Sequence, residues 1–129
     1  MLALIRSCMC DLMPRTEALP GLADTDIDGF LRRMRRESHL IYWLGLVSGA
    51  VTYTLTPLLT VGVPLPAFLL PARLRAEHAR RVCDAGPYLI RQTVFLLRLS
   101  AGMCWGQDPR VRAHFALAPY PPDPGSFRA

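Results

Sequence analysis

At 129 residues the chain is long enough for one domain with a core of modest size. It is 51% hydrophobic and 19% charged, with a mean hydropathy of +0.22, and this balance points to apolar surface that lipid or a partner covers. The net charge of +5 comes from fifteen arginines and no lysine; they flank apolar segments instead of forming a stripe with aromatics, which argues against nucleic acid as a partner and fits an anionic membrane surface better.

Residues 2–13 read as a short helix ended by Pro14, and Thr16 to Gly21 as a turn-rich connector. The acidic run Asp24-Thr25-Asp26 supplies a helix start, because short acidic residues cap the first turn and complement its dipole. Ile27, Phe30, Leu31 and Met34 follow at i, i+3, i+4 and i+7, one apolar face, with Arg32, Arg33, Arg35 and Arg36 largely off it. Asp24, Asp26 and Asp28 alternate, but without the glycine and distal glutamate of a calcium loop they read as capping residues.

From Leu40 to Ala72 there is neither a charge nor a histidine. Leu40 to Thr56 reads as an apolar helix in which Gly45 and Gly49, four apart, allow a close helix approach. Pro57 interrupts it. Pro64 and Pro66 bias Val63 and Leu65 toward extended backbone, so Thr60 to Pro66 is expected to be a turn or connector. A further helix runs from Ala67 or Pro71 to Asp84, with Leu70, Leu74 and Val82 on one side, and Ala85-Gly86-Pro87 breaks it. Pro87 suits the start of the next helix, to residue 105, apolar except for Arg91 and Arg98. Asp108 caps, and Pro109 starts, a short helix to about Phe115; residues 117–129 form a Pro-rich, extended tail. The expected class is all-α: one domain, 1–129, built as a small bundle of about five helices with one long apolar helical segment.

The uncharged stretch exceeds the ~20 residues of a straight crossing. Arginines on both flanks make a single crossing uncomfortable, and a hairpin at Pro57 would have short arms. Residues 40–72 are therefore expected to be two apolar segments around a bend, either a core or a membrane-associated segment. No secretory signal pattern opens the chain, although Met34 to Ala50 has the basic start, apolar run and small residues of one.

Cys8, Cys10, Cys83 and Cys104 have neither disulfide-motif nor zinc spacing and read as buried thiols. His39, His78 and His114 are scattered among arginines and read as surface residues. The chain contains no P-loop, GxGxxG, GxSxG or HExxH, so no catalytic, cofactor-binding or metal residue is assigned. Arg91 and Arg98, seven apart on an apolar helix, need pairing or water; pairing with Asp24, Asp26 or Asp28, or with a partner, is one expectation, and solvent the other. Trp43, Trp105 and Tyr120 complete the set of partner-contact or structural candidates.

The order of features, carried by Leu12-Met13-Pro14, Ala23 to Leu31, Phe68 to Arg81 and Tyr120 to Gly125, resembles the small subunit of the gluconate 2-dehydrogenase type (subunit 3). Similar all-α segments open long-chain alcohol oxidases. The resemblance implies a non-catalytic accessory or assembly subunit, membrane-associated, that binds no cofactor itself and accompanies a GMC-type flavoprotein holding FAD. The alternative is a small integral membrane or membrane-docking protein with no redox partner.

Overall fold

The computed structural model describes residues 1–84 and 87–122. Among them are seven α-helices and no strand: α1 (Leu2–Leu12), α2 (Ile27–Glu37), α3 (Leu40–Leu55), α4 (Pro57–Val61), α5 (Ala72–Asp84), α6 (Tyr88–Trp105) and α7 (Pro109–His114). Short 3-10 turns occupy Leu22–Asp24 and Ala67–Leu69. The all-α class is as expected, with more helices than the five or so anticipated. One addition is α4: Pro57 does not simply interrupt the apolar run but takes the first helical position, where its missing N–H costs nothing. Gly62 then closes α4 with φ 72°, a left-handed conformation that glycine adopts without strain. The expected break at Ala85-Gly86 and the tail beyond Pro122 lie outside the described residues; Pro87 caps α6 instead of starting it.

The remaining boundaries follow local chemistry. Asp26 caps α2 by accepting from the Gly29 N–H at 3.0 Å, and Asp108 caps α7 by accepting from Arg110 N–H at 2.9 Å. At the end of α7, Leu117 N–H reaches the Arg112 carbonyl at 2.8 Å and Ala116 N–H the Ala113 carbonyl at 3.1 Å, a Schellman closure with Ala116 at φ 52°.

Two layers make the bundle. In one, α3 and α6 run antiparallel: Tyr42 meets Ser100 at 2.7 Å, Gly45 abuts Leu96, and Gly49 abuts Thr93, so rising numbers in α3 meet falling numbers in α6. A Cβ at Gly49 would lie 2.6 Å from the Thr93 carbonyl oxygen, and one at Gly45 2.6 Å from a Leu96 methyl. The glycine pair is thus what lets the two backbones close up. The other layer, α1 with α2 and α5, covers the inner side of this pair. Ile5, Cys8 and Met9 of α1 join Leu46, Ala50, Tyr53, Val94, Leu97 and Ala101 in the core, and α2 adds Ile27, Phe30 and Leu31, the face its periodicity marked.

Candidate functional site

Among the described residues, the outer side of the α3–α6 pair has no second layer on it. Ile41, Leu44, Ser48, Val51 and Leu55 recur at three- and four-residue steps along α3, and all are exposed. On α6 the same is true of Leu89, Gln92, Phe95, Leu99 and Met103. Measured around each helix from its contact with the other, both sets fall to the same side of the antiparallel pair. They form one face whose only polar members are the uncharged Ser48 and Gln92. Leu58 and Leu59 of α4, with Phe68 and Leu69, are also exposed. Residues 40–72 are therefore half core and half surface. No helix among the described residues is long and apolar enough to cross a membrane.

At the α6 C-terminal end this face meets a groove of about 1060 Å³. Phe30, Met34, Tyr42, Leu99 and Met103 supply its apolar lining, while Arg33, Glu37, Ser38, His39 and Gln107 supply polar groups. Tyr120, Pro121 and Pro122 wall it from outside. Arg112 fixes that wall: its guanidinium lies 5.6 Å from the Tyr120 ring centroid and donates to the Ala118 and Gly106 carbonyls. The Ser38 hydroxyl is buried with no hydrogen-bond partner.

On the inner side, His78 of α5 is fully buried, which corrects the surface reading of this histidine. Its Nε2 faces the Tyr53 carbonyl at 2.9 Å, and its Nδ1 faces the Thr60 hydroxyl at 2.5 Å. A carbonyl only accepts, so Nε2 carries the proton and Nδ1 accepts from Thr60. Burial holds the imidazole neutral below its ordinary pKa, partly opposed by the bond to Tyr53. The sequence carried the signal, since His78 sits four residues from both Leu74 and Val82 on the apolar face of α5. Nearby, the Tyr53 hydroxyl donates to Asp11 at 3.4 Å, and Arg75 pairs with Asp11 at 3.1 Å. Burial raises the Asp11 pKa despite Arg75 and Tyr53. These contacts join α1, α3, α4 and α5, and the one hydroxyl–imidazole pair among them, Thr60 with His78, is buried. The Cys8 thiol is pushed up to about 11 by burial and donates to the Ala50 carbonyl at 3.7 Å, and burial raises Cys10, Cys83 and Cys104 as well.

The acidic segment does not meet Arg91 or Arg98. Asp24 is held by Arg15 through two bonds of 2.9 and 2.7 Å and accepts from the Gly21 N–H at 2.9 Å; Asp28 pairs with Arg6 at 3.2 Å. With Asp26 engaged in its cap, the expected pairing is replaced by local partners. Arg91 and Arg98 are exposed on the side of α6 toward α5, where both line a small pocket with Cys83. Trp43 is half-buried against the core. Trp105 donates from Nε1 to the Pro20 carbonyl at 2.8 Å, tying the end of α6 to the first connector. Of the sequence candidates, Tyr120 alone borders the groove. Among the described residues no cluster of three or more His, Cys, Asp or Glu side chains could hold a metal ion.

The chain matches no protein-family model, and neither a curated protein nor a solved structure shows significant similarity to it.

Proposed function

We propose that this chain is a non-catalytic helical accessory subunit that docks through the outer face of α3 and α6. The observation behind the reading is that face: ten positions on two antiparallel helices, exposed, charge-free and continuous. Interface cores are depleted of charge and enriched in aromatic and methionine side chains, and Phe95 and Met103 fit that composition. The partner class comes from the resemblance to the subunit 3 type, and is an FAD-bearing GMC-type flavoprotein oxidoreductase at a membrane. The FAD belongs to that partner.

The test is purification of the tagged chain from its native cells, followed by release and measurement of bound flavin. A flavoprotein in stoichiometric yield is the expected result. Leu44→Glu with Leu55→Glu, which places two carboxylates in the face, should lower that yield about tenfold or more while leaving the circular dichroism unchanged. A wild-type chain that purifies as a flavin-free aqueous monomer would sink the reading.

A second reading is docking on an anionic membrane surface without a redox partner. The arginine-rich end of α2, Arg35 and Arg36, is exposed where α3 begins. Binding to vesicles of anionic lipid, lost in the same double variant and in high salt, would favour it.

A further inference from the structure

The groove beyond Leu99 and Met103 differs chemically from the open face it adjoins. Its floor is apolar, from Phe30, Met34 and Tyr42, and its rim carries Arg33, Ser38 and His39. Its volume of about 1060 Å³ is at the upper end of small-molecule sites, which combine an apolar lining with a few polar groups. The Ser38 hydroxyl, buried without a partner, is a donor awaiting an acceptor, and leaving it unpaired is costly. Arg33 offers a fork of N–H donors matched to a carboxylate. The Glu37 carboxylate on the same rim lies 3.7 Å from Arg36. Leu99 and Met103 belong to both groove and face, so an apolar chain leaving the groove meets no charge.

We propose that this groove binds a single-chain fatty carboxylate, with its acyl chain along Phe30, Met34, Leu99 and Met103 and its headgroup at Arg33 and Ser38. The pairing of one charged head with a charge-free floor selects an amphiphile over a small polar anion. The site shares Leu99 and Met103 with the docking face but has its own polar rim, and the proposal does not depend on the identity of the partner that face meets. The Tyr120–Pro122 wall, held by Arg112, shields the chain from water.

The test is displacement of a fluorescent fatty-acid probe from the purified full chain. Affinity should rise about two- to fourfold per methylene from octanoate to decanoate to laurate, as buried methylene groups require. Dodecanol, with the same chain and no charge, should bind about tenfold more weakly than laurate, and Arg33→Gln should erase that difference. Leu99→Asp and Met103→Asp should each weaken laurate about tenfold. Both side chains are about half exposed, so the fold should tolerate the changes, with circular dichroism as the check. Leu44→Asp, on the open face outside the groove, should leave laurate binding unchanged. The proposal is overturned if laurate does not displace the probe, or if its affinity is flat with chain length. It is equally overturned if Leu44→Asp abolishes binding while the groove variants do not, or if lysophosphatidate displaces the probe and laurate does not.

Discussion

The inner side of the α3–α6 pair presents Leu46, Ala50, Tyr53, Leu97 and Ala101 to α1, whereas the outer side presents Leu44, Val51, Leu55, Phe95 and Leu99 to solvent. The residue types on the two sides are nearly the same. What separates them is the second layer, which covers one side and not the other, together with a polar inlay found only inside. Cys8 bonds across to α3, and His78 joins α5 to both α3 and α4. A helix that is apolar all round belongs in a core, and α3 is such a helix with half of its core supplied by its own chain. The outer half stays apolar with no covering layer among the described residues.

If that contrast is right, equal truncations on the two sides differ sharply in cost. Leu97→Ala, in the fully buried layer, should destabilise by about 2–5 kcal/mol. Leu44→Ala, on the exposed side, should change stability by no more than about 0.5 kcal/mol. Urea unfolding of both variants measures the difference, and comparable losses would mean that the outer face is covered in the isolated chain.

The seam between the sides gives the next largest effect. Gly49→Ala pushes a methyl against the Thr93 carbonyl, a backbone atom that cannot step aside, and should cost about 1–3 kcal/mol despite the better helix propensity of alanine. Gly45→Ala meets only the end of the Leu96 side chain, which can change rotamer. It should cost clearly less in the same unfolding assay, and the reverse order would break the antiparallel register described here.

The polar inlay should show in the pH dependence of stability. The folded-state pKa of His78 is depressed below the ordinary value of about 6.5. Above that pH both states are neutral at this group and its contribution is constant. As the pH falls from about 6.5 toward the folded value, the unfolded chain takes up the proton first and stability drops. Asp11 has a raised pKa and the opposite slope: its contribution is full below its unfolded pKa and lost as the pH rises through the folded one. The difference between wild type and His78→Gln cancels the Asp11 slope. It should decline on acidification below about 6.5, whereas a flat difference would mean that the histidine is open to solvent.

These contrasts also separate what the sequence states from what it leaves open. The α2 face is legible because Arg32, Arg33, Arg35 and Arg36 mark the wet side of Ile27, Phe30 and Leu31. The burial of His78 was legible in the same way, from Leu74 and Val82 one turn to either side, but the arginines around it obscured the pattern. In α3 no charged residue marks a wet side, and only Gly45 and Gly49 reveal where α6 lies. Arg91 and Arg98 share a helix face as their spacing implies, yet spacing within one helix says nothing of what lies opposite. The groove depends on Ser38, His39 and Tyr120 meeting across more than eighty residues, a contact that no local pattern encodes.

The smallest effect concerns the end of α7, which holds the wall of the groove. Ala116 occupies a left-handed position that L-residues other than Gly, Asn and Asp adopt at a cost of roughly 1–2 kcal/mol. Ala116→Gly removes that strain but loses about 0.5–1 kcal/mol through the greater freedom of glycine in the unfolded chain. The net change should be a stabilisation of up to about 1 kcal/mol, seen as a small rise in the unfolding midpoint at unchanged slope. Because Leu117 bonds back to Arg112 across this residue, the substitution should preserve the closure, and with it the position of Tyr120. A loss of stability would place Ala116 outside the left-handed region and the wall away from the groove.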